Sequence, residues 1–324
     1  MNKTSFLNRP VFICGHRKGG TTLLVNLLDN NKNCMTMPGD NGFFYLYYPY
    51  LINSSLKKKK IALGKCNQKI LNEIKNLKLK NKEKKILIKQ YYNFSKYIGI
   101  IRKSDDFTKI LKLRAYYFAK AFGRMNSEIW IEKTSSTEIY AMAIKKKLKN
   151  SKFIHIIRDP RDNWASLKSG WETRYKKNSR SLNHLFFSLI FRVTNSFEFA
   201  TMNQKILGKK NYLIIKYEDL VLNKSKVLNQ IQKFLNLKEK IDLNTTYLNN
   251  SWRSNNFIGE KKVKLSKINI NKYKKKIIEE EIKIIEFYFY EFLKKFKYIL
   301  NYKKENTINS AKNFYRETNK IFFQ

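Results

Sequence analysis

The stretch FICGHRKGGTTLL, residues 12–24, decides the fold because it runs from a strand through a glycine-bearing turn into a helix. The apolar residues 11–14 predict a short buried strand, and the leucines between Leu23 and Leu28 recur at helical spacing. A helix is therefore expected to begin near Thr21. Such a turn directs backbone N–H groups and the positive end of a helix dipole toward one point. The stretch predicts an anion-binding loop, with phosphate as the expected anion.

The loop departs from a Walker A loop at the position of the essential lysine. Gly15 and Gly20 have the Walker spacing, but Thr21 stands where the lysine belongs, and Lys18 precedes Gly20 by two residues. The glycines allow a ligand to approach the backbone, while Lys18, Thr21 and Thr22 add a cation and two hydroxyls. An ordinary strand-to-helix turn is the alternative, although it has no need of these residues together. The pattern indicates a phosphate ligand held without a Walker lysine.

The large positive charge is a weak guide to function. The 324 residues include 67 Lys and Arg against 25 Asp and Glu, a formal net charge of +42. Lysine predominates over arginine and is scattered along the whole chain, as an AT-rich coding sequence would produce. The charge favours anionic ligands in general and indicates no specific nucleic-acid partner. Because arginine is scarce, an arginine inside a motif carries more weight than a lysine.

Length and cysteine content suggest one α/β domain in a reducing compartment. We expect a single domain over residues 1–300, with 55–127 as a helical insertion or lid and 301–324 as a polar, loosely held tail. The three cysteines, Cys14, Cys34 and Cys66, show no zinc-binding spacing. The first strand begins near residue 10, which leaves no room for a signal peptide, so a cytoplasmic location is expected. The apolar stretch 184–193 is too short to span a bilayer, and peripheral contact with a membrane is left open.

Alternating strand and helix patterns predict the fold class. Besides the first strand, strand patterns occur at 34–37, 128–134, 152–160 and 211–220, and helical patterns at 137–149, 161–169, 225–235 and about 272–298. Alternation of this kind predicts a mostly parallel α/β sheet flanked by helices on both faces, with a helical insertion. Ligands of such sheets bind beyond the carboxyl ends of the strands.

A second motif, RDPRDNWASLKSG at 158–170, predicts another anion site at the same edge. Arg158 ends a strand, and Ser166 follows eight residues later within a helix that Pro160 begins. A guanidinium in this place suits bidentate binding of a second phosphate. Structural Arg–Asp pairing is the alternative, and it fits Arg161 and Asp162 better than Arg158.

With these two motifs, the sequence resembles the PAPS-dependent sulfotransferase superfamily, closest in motif pattern to its bacterial and tyrosylprotein-type members. In that superfamily a loop similar to GHRKGGTTLL binds the 5′-phosphosulfate of 3′-phosphoadenosine 5′-phosphosulfate (PAPS), and a segment similar to RDPRD…S binds the 3′-phosphate. Further matches are WIEKTSS at 130–136, KYEDLVLNKSKVLNQIQKFLNL at 216–237 and KVKLSKI at 262–268. The resemblance covers about residues 10–300, without 55–127. It implies a P-loop-like fold and an enzyme that uses PAPS as co-substrate and needs no metal.

The resemblance also implies roles for individual residues. Lys18 matches the basic loop residue that steadies the leaving phosphate, and Gly19 stands where many members have serine. Lys133 matches a lysine that some members direct at the transferring group. Ser266 corresponds, in a weaker alignment, to a serine used similarly. The donor-binding set implied by the resemblance is Arg17, Lys18, Gly19, Gly20, Thr21, Thr22, Arg158, Ser166 and Ser266.

Asp40 is the candidate general base for the acceptor hydroxyl. It follows the second predicted strand behind Pro38-Gly39, a turn that would present it at the ligand edge. Tyrosylprotein sulfotransferases carry a catalytic glutamate in a similar segment, although the spacing differs by about two residues and Asn41 replaces its second acid. A turn aspartate that caps its own backbone is the alternative.

Three functions remain in competition on sequence grounds. A sulfotransferase acting on a hydroxyl-bearing acceptor is favoured, with a saccharide preferred by family analogy and with tyrosine and small alcohols left open. A P-loop kinase or NTPase is opposed by Thr21 in place of lysine. A basic nucleic-acid-binding protein has only the net charge in its support.

Overall fold

The computed structural model describes residues 4–29, 31, 33–37, 42–75, 80–176, 181–238 and 267–322. Within them, five strands form one parallel sheet in the order β2-β3-β1-β4-β5. The strands are β1 Pro10–Cys14, β2 Cys34–Thr36, β3 Ile129–Lys133, β4 Lys152–Ile157 and β5 Tyr212–Lys216. The predicted parallel sheet is confirmed. All five carboxyl ends lie at one side, which we call the ligand edge.

The helices of the described residues alternate with these strands. In chain order they are α1 Thr21–Asp29, α2 Leu56–Lys75, α3 Asn81–Ser95, α4 Tyr97–Ile100, α5 Phe107–Ala121, α6 Ala141–Lys147, α7 Pro160–Lys168, α8 Leu182–Leu207, α9 Tyr217–Leu222, α10 Lys224–Leu235, α11 Tyr273–Lys276, α12 Glu279–Tyr288, α13 Tyr290–Lys295 and α14 Ile308–Phe322. Short 3₁₀ turns occupy Ser5–Asn8, Thr137–Tyr140, Lys267–Asn269 and Lys304–Thr307, and π-turns Phe43–Tyr47 and Trp171–Tyr175.

Apolar residues cover both faces of the sheet, because successive strand side chains point to opposite sides. On one face, Phe12, Trp130 and Phe153 pack with residues of the insertion. On the other, Ile13 and Ile154 pack with α1, α9 and α10. Both faces are therefore buried, as the predicted fold class requires.

Residues 55–127 are helical where the structure describes them, as expected, and contribute no strand there. Their helices α2, α3 and α5 share one apolar core with the sheet. The side chain of Asp106 begins α5 by accepting hydrogen bonds from the backbone N–H groups of Thr108 and Lys109, at 3.1 and 3.0 Å. The insertion thus forms a packed layer, and its separate status as a lid stays a prediction.

Two predicted elements are wrong in extent. The last strand ends at Lys216, and the next residues turn into α9. The long helix expected over 272–298 is divided into α11, α12 and α13. Ile277 is extended, and the backbone N–H of Ile278 donates to the carboxylate of Glu281 at 3.0 Å. Three successive glutamates then favour a new helix N-terminus, which the apolar spacing alone could not reveal.

The segment after residue 300 is packed rather than loosely held. Helix α14 buries Ala311 and Phe314, and the Phe314 ring contacts that of Phe186 on α8 with centroids 5.1 Å apart. Ala311 and Phe314 are three positions apart and so share one helical face. A few apolar residues at helical spacing thus anchor a segment whose average composition is polar.

All three cysteines, Cys14, Cys34 and Cys66, are free and buried. Among the helices described, none is long and apolar enough to span a membrane.

Candidate active site

The loop after β1 is pressed against its neighbours, which requires glycine at two positions. Gly15 and Gly20 have φ of +127° and +101°. A Cβ at Gly15 would lie 2.5 Å from the carbonyl oxygen of Ile156, and one at Gly20 would lie 2.4 Å from the Tyr217 ring. A side chain at either position would therefore be strained and would collide with its neighbour. The glycines let the loop turn tightly between β4 and α9.

The loop leads directly into the N-terminus of α1, whose first N–H groups lie outside the helix's own hydrogen-bond ladder. Lys133 ends β3, the strand paired with β1, and the register places it opposite Ile13. The Lys133 ammonium donates to the hydroxyl of Thr22 at 3.2 Å. The parallel pairing of β1 and β3 thus brings a buried lysine to the helix N-terminus.

Arg158 joins the two sequence motifs. Its guanidinium donates to the backbone carbonyl of Lys18 at 2.8 Å, to that of Asn269 at 2.6 Å and to the hydroxyl of Ser166 at 3.3 Å. The side chain is only 4% exposed and lies over the Tyr217 ring, 4.5 Å from its centroid. Arg158 therefore holds the loop, α7 and the segment at 269 together at the ligand edge.

The rest of the RDPRD motif supports this arrangement. The Asp162 carboxylate accepts from the backbone N–H groups of Asn271 and Tyr273 at 2.8 and 2.9 Å, which fixes residues 269–273 beside Arg158. Burial raises the pKa of Asp162 to about 6, although nearby Arg158 opposes this. Arg161 pairs with Asp159 and Glu286 at 2.7 and 2.6 Å. Arg161 and Asp162 are thus structural residues, as the sequence suggested.

The two residues after Gly15 differ in environment. His16 is buried, and its pKa is lowered to about 3 by burial first and then by Arg17 and other cations nearby. It is therefore neutral near pH 7. Arg17 is exposed and lies over the Tyr175 ring, 5.4 Å from its centroid. Tyr175 belongs to the π-turn that follows α7, so the Arg17 guanidinium contacts this turn. A donor-binding role for Arg17 therefore stays a prediction.

The structure gathers most of the predicted site residues. The loop residues 17–22, Lys133, Arg158 and Ser166 meet at the ligand edge, whereas Asp40 and Ser266 lie outside the described residues. Sequence reasoning assigned no role to Tyr217, Asn269 or Glu138, which contact the loop or Arg158. Tyr217 lies in the KYEDL match, and this is the one signal that could have drawn attention to it.

The arrangement is suited to binding anions. Lys133, Arg158 and the loop that carries Lys18 lie at a helix N-terminus, and Arg158 Nε is buried without a hydrogen-bond partner among the described residues. Within all the residues that the structure describes, no group of three or more His, Cys, Asp and Glu side chains could hold a metal ion. The helix N-terminus and the buried guanidinium of Arg158 are the two features of the site that favour an oxyanion.

Comparison with known families identifies the chain. A sequence-family model described as the Sulfotransferase family matches residues 10–240, more than half of the chain. The chain belongs to this family. The match includes β1 to β5, the loop and the RDPRD motif, so this sulfotransferase carries its family's sequence over the region that builds the site. No curated protein matches its sequence.

Solved structures agree on the fold. The sulfotransferase domain of the Synechococcus PCC 7002 olefin synthase is 19% identical, with 94% of each chain covered and a TM-score of 0.52. The sulfotransferase domain from the curacin biosynthetic pathway is 18% identical, with 90% of this chain and 98% of that chain covered and a TM-score of 0.53. At such identities the likeness shows the fold alone. Family and fold together support sulfuryl transfer as the general activity.

Proposed function

We propose that this sulfotransferase moves a sulfuryl group from PAPS to an acceptor hydroxyl. The observation that carries the proposal is the joining of the loop to Arg158 through the Lys18 carbonyl, at 2.8 Å. This contact supports the proposal because it joins the loop that carries Lys18 to Arg158 at one ligand edge. A donor nucleotide with phosphate groups on both its 3′ and 5′ positions needs two such anchors.

The residues present fit this donor. The glycine loop and the N-terminus of α1 would hold the 5′ end, where a Cβ at Gly20 would collide with Tyr217. Arg158 and Ser166, 3.3 Å apart, would hold the 3′-phosphate. The buried Nε of Arg158, without a partner among the described residues, offers one further donor. Arginine suits this role because its planar fork matches the geometry of a phosphate.

The chemistry follows from where charge develops. The bound donor would supply an activated sulfuryl group, and negative charge would then accumulate on the departing phosphate. Lys18 is proposed to neutralise that charge, while Lys133, held against Thr22, would stabilise the oxygens of the group in transfer. Because Lys133 is bonded to Thr22 and the backbone of Lys18 to Arg158, both residues would need little reorganisation during the reaction.

Asp40 is proposed as the general base that takes the proton of the acceptor hydroxyl. It follows β2, and the carboxyl end of β2 lies at the ligand edge beside β3. Replacement by asparagine should preserve nucleotide binding and lower turnover by about a hundredfold. Turnover close to that of the wild type would remove Asp40 from this role.

A saccharide is the proposed acceptor, by family analogy, with tyrosine and small alcohols as the alternatives. A labelled-sulfate transfer screen over these three classes would identify it. The three buried free cysteines support a reducing compartment, and the cytoplasm is the proposed location.

Ligand binding tests the donor, with the bisphosphate measured in EDTA and ATP measured with Mg²⁺ in a buffer without EDTA. Adenosine 3′,5′-bisphosphate should raise the melting temperature by linkage and should do so without added metal. ATP with Mg²⁺ is the matched comparison, since it lacks the 3′-phosphate. Tighter binding of ATP with Mg²⁺, or no shift with saturating bisphosphate, would overturn the proposal in favour of a P-loop kinase or NTPase.

A further inference from the structure

A chain of buried polar side chains contacts the anion-binding loop at Gly15 and includes none of the proposed donor-binding residues. It consists of Glu138, Ser196, His155 and Tyr212, with exposures of 2, 3, 0 and 0%. These residues come from the turn after β3, from α8, from β4 and from β5. Four elements of the fold therefore meet in one hydrogen-bonded group next to Gly15.

Glu138 is the member that touches the loop. One of its carboxylate oxygens accepts from the backbone N–H of Gly15 at 3.2 Å, and the other accepts from the Ser196 hydroxyl at 2.7 Å. Its own backbone carbonyl accepts from the side chain of Asn203 at 2.8 Å. Among the described residues, no Lys, Arg or His lies within ion-pair distance of the carboxylate. The loop N–H is thus one of the few groups that offset its buried charge.

The remaining bonds give the chain a direction. Since the single Ser196 proton goes to Glu138, the Ser196 oxygen must accept from His155 Nε2, which lies 3.1 Å away. His155 Nδ1 must then accept from the Tyr212 hydroxyl at 2.7 Å. Burial lowers the pKa of His155, with Glu138 opposing, which is consistent with a neutral ring. Neutral His155 is therefore expected as the Nε2–H tautomer.

We propose that Glu138 is a positioning residue for the loop. By binding the Gly15 N–H it fixes the peptide unit at which β1 ends, and so sets the direction in which residues 16–20 leave the sheet. A buried carboxylate this close to an anion site disfavours an anionic ligand by its charge. Its contribution to ligand binding must come from geometry, and Ser196, His155 and Tyr212 hold it in that geometry.

Two substitutions of Glu138 separate its hydrogen bond to Gly15 from its effect on the direction of the hydrogen-bonded chain. Glutamine preserves the size and the acceptor for Gly15, and its amide N–H₂ would donate to Ser196. Ser196 would then donate to His155 Nε2, and Nδ1–H would donate to Tyr212. Glu138→Gln should therefore reverse the chain and convert His155 to the Nδ1–H tautomer. Glu138→Ala leaves the Gly15 N–H without its acceptor.

Nitrogen-15 NMR of the ligand-free full chain reads the tautomer directly. The protein has three histidines, so His16→Gln and His184→Gln variants complete the assignment of the His155 signals. The proposal requires Nε2–H in the wild type and Nδ1–H in Glu138→Gln. An Nδ1–H wild type, or an unchanged tautomer in the variant, would overturn the directed chain.

Nucleotide binding tests the positioning role, and this step rests on the proposed donor. Adenosine 3′,5′-bisphosphate should bind Glu138→Gln within about threefold of the wild type and Glu138→Ala about tenfold or more weakly, as expected for a lost charged hydrogen bond. Asn67→Ala is the control, since Asn67 is also buried and its side chain bonds Ser95 and Tyr97 within the insertion. It should lower the melting temperature and leave nucleotide affinity unchanged.

Two results would overturn the positioning role. If Glu138→Ala lowers the melting temperature as the control does but binds nucleotide normally, Glu138 is a structural residue only. If Glu138→Gln loses nucleotide affinity as severely as Glu138→Ala, the charge is essential. If the wild type binds no bisphosphate, the proposed donor fails, and the tautomer result still decides the directed chain.

Discussion

Replacement of Arg158 by methionine should weaken both the fold and nucleotide binding. The guanidinium makes hydrogen bonds to two backbone carbonyls and one hydroxyl, and it is 4% exposed. A hydrogen bond from a charged donor contributes about 1.5–3 kcal/mol, and relaxation and water recover part of the loss. We expect the free energy of unfolding to fall by about 3–5 kcal/mol and the bisphosphate Kd to rise about 10- to 150-fold.

Arg158→Lys separates charge from shape. A lysine keeps the positive charge but can reach one carbonyl at a time and cannot present the planar fork. Its bisphosphate affinity should therefore fall between those of the wild type and Arg158→Met. The fork argument would be refuted by a lysine variant that binds as well as the wild type.

Arg124→Met is the matched control for the loss of a buried arginine. Arg124 is 5% exposed and contacts the backbone carbonyl and carboxylate of Asp29 at 3.2 and 3.7 Å. Asp29 is the last residue of α1, at the end opposite the loop. This variant should lose stability in a thermal melt but bind the bisphosphate normally by calorimetry. Equal losses of affinity in Arg124→Met and Arg158→Met would mean that Arg158 acts through the fold alone.

Three further predictions concern catalysis, pH and the C-terminal helix. Lys18→Ala should lower kcat about 100-fold and change the bisphosphate Kd by less than about fivefold, measured by labelled-sulfate transfer and calorimetry, because its charge meets charge that develops during transfer; equal losses in both would refute this. His16 has a folded-state pKa lowered from 6.5 to about 3, so unfolded chains bind more protons between these values and stability should rise with pH across that window. His16→Gln should flatten that part of a denaturation profile, and an unchanged slope would assign it elsewhere. Phe314→Ala should lower the free energy of unfolding by about 3 kcal/mol in urea titrations, whereas a loosely held tail would give no measurable change.

Local chemistry made the centre of the fold predictable. An apolar run, two glycines at fixed spacing and leucines at helical spacing lie within the eighteen residues 11–28, so β1, the loop and α1 could be recognised without knowledge of the rest of the chain. The RDPRD motif could be recognised for the same reason, since Asp159 and Pro160 begin α7 within a few residues of β4.

Side-chain capping and long-range packing decided where prediction failed. Expected helix 272–298 is interrupted because Glu281 caps a new start at Ile278, a bond that apolar spacing does not encode. The C-terminal segment was expected to be loose because its composition is polar, yet Phe314 finds a partner in Phe186, which is 128 positions earlier in the chain. Roles for Asp40 and Ser266 stay predictions, since both lie outside the described residues.

The sequence by itself determined the anion-binding loop, the parallel α/β class and the resemblance to sulfotransferases, because each depends on residues close together in the chain. Only the tertiary structure decided that β1 lies between β3 and β4, which brings Lys133 to Thr22 and Arg158 to the Lys18 carbonyl. It also decided that the carboxylate of Glu138 accepts a hydrogen bond from the backbone N–H of Gly15 in the loop. These contacts join residues more than a hundred positions apart, and strand order, which no local pattern specifies, sets which of them can meet.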